Sequence, residues 1–166
     1  MGSDNAFNIK ILGGSIVVLF TSEASIQSNS WFSFGVRFPA HLLTLKKYNL
    51  TLPSAADPVG SYVAVKIVGK LLYISGQISI NENGKLITGK LGKDLDTDTG
   101  YNAAKRCGLS IVAQAKKACN EDLSKIKSCI KLTGFVNSTE DYTEQPKVIN
   151  GASDLIASIF GDAGMH

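Results

Sequence analysis

The chain is poor in the residues that staple, ligate or span. Its three cysteines, Cys107, Cys119 and Cys129, include no CxxC pair. An odd number of widely spaced thiols makes a poor disulfide framework. Cys107 and Cys119 fall within one predicted helix and read as small packing residues. Reduced thiols predict a cytoplasmic setting. His41 and His166 are the only histidines, so a nucleophilic cysteine would be short of a base. The apolar run Ile11 to Phe20 contains Gly13, Gly14 and Ser15 and is too short to cross a bilayer. Lys10 before it and Ser22-Glu23-Ala24 after it only mimic a weak signal peptide. No long block of one charge exists. The net charge of +3 comes from scattered pairs such as Lys46-Lys47, Lys105-Arg106 and Lys116-Lys117. Such pairs read as solvated faces rather than as a nucleic-acid groove.

What remains is ordinary globular composition, 44% hydrophobic and 19% charged over 166 residues. It suits one domain with an extension. Residues 1–41 differ in texture from the rest and form an N-terminal extension of no assignable structure. A short helix is expected from His41 to Tyr48, stopped by Asn49 and Pro53. Ser54 to Pro58 is a linker by composition.

Tyr62 to Val68 alternates as a half-buried strand. Gly69-Lys70 turns the chain into a second, more apolar strand, Leu71 to Ile80. Inside it, Gly76 marks a bulge or a close backbone approach. Asn83-Gly84 is a hairpin dipeptide leading to a short strand, Lys85 to Ile87. Thr97 or Asp98 is placed to cap a helix whose stripe is Ala104, Cys107, Ile111, Ala115 and Ala118. Ile126 to Val136 alternates again, with Ile126, Ile130, Leu132 and Val136 on one face. Pro146 then opens a second helix, closed by Gly161 and Gly164. The order predicts an α+β fold, a sheet with two helices on one face. A sheet ending on an unreturned helix should be followed by further strands.

Several strings resemble the RidA (YjgF/YER057c/UK114) family. They are Leu52-Pro53, Pro58-Val59-Gly60-Ser61-Tyr62, Leu72-Tyr73-Ile74-Ser75-Gly76-Gln77, Gly89-Lys90-Leu91-Gly92, Leu132-Thr133-Gly134-Phe135-Val136-Asn137 and Gln145-Pro146 through Asp154-Leu155. They occur in family order from Leu52 onward, and residues 42–166 are read as a RidA-like domain that is C-terminally incomplete.

The resemblance implies a chorismate-mutase-like (bacillus type) fold with a mixed sheet, and a homotrimer with ligand clefts between subunits. It implies hydrolysis of 2-imino or 2-enamino acids to 2-oxo acids and ammonia, with no metal or cofactor. It assigns Tyr62, Ser75, Gly76 and Asn150 to substrate binding and leaves the catalytic residue unassigned. It also implies a carboxylate-binding arginine in a string directly after Gly161 to His166, so impaired catalysis is expected of this chain. A non-catalytic small-molecule-binding trimer is the alternative. An RNA-cleaving or translation-inhibiting role, often attached to the family by name, lacks a histidine acid–base pair. Neither a specific nucleic acid nor a membrane is expected as partner.

Overall fold

The computed structural model describes the strand Ile16–Ser22, Leu45 and residues 49–166. Four strands form one sheet: β1 (Ile16–Ser22), β2 (Val65–Val68), β3 (Leu71–Gln77) and β4 (Ile126–Gly134), in the order β2-β3-β1-β4. All three pairings are antiparallel. β3 and β4 therefore run parallel to one another with β1 between them, and none of the pairings among these four strands is parallel. The sheet thus draws one of its two inner strands from the N-terminal region that the sequence leaves unplaced.

Two helices, α1 (Thr97–Ala118) and α2 (Gln145–Phe160), pack with the sheet into one core. Leu72 and Ile74 of β3 and Ile126 and Cys129 of β4 are buried against Cys107, Ile111, Val112, Leu155 and Ile156 of the helices. The expected small-residue stripe is the inner face of α1: Ala104, Cys107, Ile111 and Ala115 are all buried. Asp96, rather than Thr97 or Asp98, caps α1, its side chain accepting from the Thr99 N–H at 2.8 Å. An aspartate one residue earlier reaches the third helical N–H, as an N-cap must.

Strand limits are tighter than alternation suggests. β2 begins at Val65, and residues 58–63 run outside the ladder with Val59 and Val63 exposed. Leu86 forms only an isolated bridge with Ile80. In β4 the pairing passes from Leu19↔Lys131 to Phe20↔Cys129, which leaves Ile130 as an extra residue. That bulge reverses the face of what precedes it. Cys129 is therefore buried and Ile130 is 47% exposed, the reverse of simple alternation. At Asn49, φ is +48° and the Leu50 N–H donates to the Leu45 carbonyl, a left-handed helix stop. The remainder of the expected 41–48 helix lies outside the described residues.

The two helices meet through glycine. A Cβ on Gly151 would lie 2.0 Å from the Tyr101 carbonyl oxygen, and one on Gly108 would lie 2.9 Å from Leu155 Cδ2. Backbone leaves no room to give, unlike the end of a leucine. Gly151→Ala should lower stability by about 1–3 kcal/mol or more, read as a lower urea midpoint at unchanged slope. An unchanged midpoint would show that the helices are not locked at this contact.

Candidate functional site

A cleft of about 1160 Å³ opens beside the C-terminal end of β3. Its walls come from three places: Ser75, Gly76 and Gln77 of β3 with the turn that follows; Lys105, Arg106, Leu109 and Gln114 of α1; and the lead-in segment that includes Leu52, Ala56, Asp57 and Tyr62. The lead-in is held down on α1. The Gln114 side chain, 2% exposed, donates to the Ala56 carbonyl at 2.7 Å. Lys117 pairs with Asp57 at 2.9 Å, and that ammonium holds the Asp57 carboxyl below its usual range.

The bulge expected at Gly76 sits in this wall. β1 pairs Ile16 with Gln77 but Val18 with Ile74, so Ser75 and Gly76 together oppose a single position. A bulge re-aims side chains and bends the strand. Ser75 uses both of its donors inward: its N–H and its hydroxyl bond the Ala64 carbonyl at 2.9 and 3.1 Å. What Ser75 offers a ligand is therefore an oxygen lone pair rather than a proton. The Gln77 amide donates to the Ser75 carbonyl at 3.0 Å and braces the bulge. Tyr62 is 51% exposed on the facing segment. The structure thus brings Tyr62, Ser75 and Gly76 together. Asn150 is not among the cleft residues: it lies in the second turn of α2, which begins at Gln145, and is exposed.

Lys105 and Arg106, which the sequence presents as a solvated charge pair, line the cleft. Arg106 has its side chain 18% exposed; its Nε donates to the Ile80 carbonyl at 2.9 Å and its Nη1 to Glu82 Oε1 at 3.0 Å. Lys105 is half-buried beside it. The available signal was a polar row at steps of four, Asn102, Arg106, Ser110 and Gln114, running beside the apolar stripe. The glycine loop 89–92 is a different matter. The N–H groups of Leu91, Gly92, Lys93, Asp94 and Leu95 all bond backbone carbonyls, and that of Lys90 bonds Asp94 Oδ2. The amides of residues 90–95 are thus all turned onto the protein itself, and the loop acts as a structural clasp.

The family follows from comparison with known proteins. Residues 44–166 match the family model described as "YjgF/chorismate mutase-like, putative endoribonuclease". The chain belongs to this family. Among its YjgF-like relatives, "Protein TCP17" of Trypanosoma cruzi is 43% identical over 123 residues, 74% of this chain and 76% of that protein. The crystal structure of Atu1372, a protein of unknown function from Agrobacterium tumefaciens, is similar at 44% identity and a TM-score of 0.69, covering 76% of this chain and 78% of that one. A "putative endoribonuclease" from Shewanella oneidensis MR-1 is similar at 40% identity and a TM-score of 0.73, covering 77% and 84%. The α+β, chorismate-mutase-like architecture is thus that of the YjgF family.

Among the described residues no cluster of metal-ligating side chains occurs, and no helix is long and apolar enough to cross a membrane. The three thiols are all buried. Burial pushes Cys107 up to about 12 and Cys129 up to about 11, and raises Cys119 as well. A thiol needs its thiolate to react, and a raised pKa keeps these protonated at pH 8. Native protein should therefore react slowly with a thiol-specific disulfide reagent at pH 8, and denatured protein should release three equivalents at once. A fast native equivalent would identify a nucleophile that the fold hides.

Proposed function

We propose that the cleft takes a small 2-imino or 2-enamino acid and that the protein hydrolyses it to the 2-oxo acid and ammonia. The observation that carries this reading is the meeting of Tyr62, Ser75 and Gly76 on a cleft whose helical wall bears Lys105 and Arg106. In the reaction, water adds to the imine carbon to give a carbinolamine. The carbon–nitrogen bond then breaks, the carbonyl forms, and nitrogen leaves as ammonia carrying the proton. Positioning supplies much of such a rate. The Ser75 lone pair is suited to accept from a protonated imine N–H, and the Tyr62 hydroxyl to hold the attacking water. No metal or cofactor enters this chemistry.

The same reading makes the protein a cytoplasmic homotrimer. Ile67 and Val68 on β2 and Tyr73 on β3 leave an apolar margin exposed on the sheet, which a second copy would cover. Sedimentation equilibrium should give three chains per particle; a stable monomer at micromolar concentration would remove the trimer from the reading.

The description shared by the family model and the Shewanella protein favours RNA cleavage as a second reading. Against it, His166, the one histidine among the described residues, does not line the cleft. The two are separated by one pair of assays. With 2-iminobutanoate generated in situ, ammonia release should exceed the spontaneous rate, and Ser75→Ala and Tyr62→Phe should each reduce the excess by about tenfold or more. Degradation of single-stranded RNA with no effect on the imine would reverse the assignment.

A further inference from the structure

The serines of the two helices have different fates. Ser110 and Ser158 donate to carbonyls of their own helix, those of Arg106 at 3.3 Å and Leu155 at 2.7 Å. That is the usual resting place of a helical hydroxyl. Ser153 of α2 departs from it. Its Oγ lies 3.2 Å from Nε2 of His166. The other ring nitrogen, Nδ1, lies 2.8 Å from the Gly164 carbonyl oxygen.

The carbonyl decides which nitrogen carries the proton. A carbonyl oxygen only accepts, so in the neutral ring Nδ1 holds the hydrogen and Nε2 presents a lone pair. The Ser153 hydroxyl is then the donor. The order carbonyl, imidazole, hydroxyl is that of an activated serine, with a backbone oxygen where a triad has a carboxylate.

The fold builds this placement. Gly161 turns the chain off α2 with φ of +61°, and Gly161–Gly164 form a short 3-10 helix. Gly164 is buried so closely on α2 that a Cβ there would lie 2.5 Å from the Ile156 carbonyl oxygen. Glycine permits that approach, which returns His166 to Ser153, 13 residues earlier in the chain. Ser153 is half-buried and His166 exposed, so the pair is open to a small molecule. Neither residue lines the cleft.

We propose that Ser153 and His166 form a second reactive site, a serine nucleophile and its base, for small activated acyl esters. Oγ attacks the acyl carbon as Nε2 takes the hydroxyl proton. The ester C–O bond breaks, and the alcohol leaves with that proton. Water then adds to the acyl-serine and gives a proton to Nε2. The acid is released as Ser153 regains its hydrogen.

The test uses the full chain and p-nitrophenyl acetate. A burst of p-nitrophenolate should precede slower turnover, and peptide mapping of the quenched protein should place the acetyl group on Ser153. Ser153→Ala and His166→Gln should each slow the burst by about 100-fold or more, with circular dichroism checking that α2 is intact. Acetyl found on lysine instead, a burst unaffected by either substitution, or no burst from wild type overturns the proposal. The position of the wild-type label decides the matter even where a variant fails to fold. Imine hydrolysis in the cleft stands or falls by its own assay.

Discussion

The backbone ladder of β1 is the constraint on which the rest of the molecule depends. Ile16–Ser22 bonds β3 on one side and β4 on the other. Without it, the two longest neighbouring strands would face one another across an unpaired gap, and buried unpaired amides are costly. β1 also sets the register of the functional wall. The bulge at Ser75 and Gly76 exists only as a mismatch against β1, between Ile16↔Gln77 and Val18↔Ile74. A strand from one end of the chain therefore shapes the cleft built by another.

The cleft itself divides its labour by hydrogen-bonding capacity. The strand wall has turned its Ser75 donors inward and keeps lone pairs outward. The helical wall presents cations. The lead-in is pinned across the opening by Gln114 and Lys117. A ligand meeting these walls experiences a polarity across the cleft, donors on one side and acceptors on the other. Such complementarity fixes orientation more than it adds affinity.

Much of this was legible in the residues, and what was not has definite physical causes. The stripe of α1 declared its buried face because small residues recur at helical spacing, and Gly69 and Gly84 sit at turns with φ of +59° and +75°. β1 was not legible. Ile-Val-Val-Leu-Phe does not alternate, and a continuous apolar run carries no face and names no partner. Ile130 and Cys129 exchanged places because a bulge breaks the period of two on which the reading rested. Asn150, which the resemblance assigns to substrate binding, falls a turn and more inside α2 and away from the cleft lining. Arg106 looked like a solvated charge because a helix face reveals its neighbour only once the sheet is in place.

The position of β1 has a consequence for the order of assembly during synthesis. This strand leaves the ribosome before either of its partners, which are Gln77 and its neighbours on one side and residues up to Gly134 on the other. Loop closure over such separations is slow relative to helix formation. The nascent strand must therefore wait, exposed and unpaired, until β3 and then β4 have been translated. An unpaired apolar strand is an aggregation hazard for that interval. The sheet is thus completed late, and α1 is translated whole before β1 gains its second neighbour.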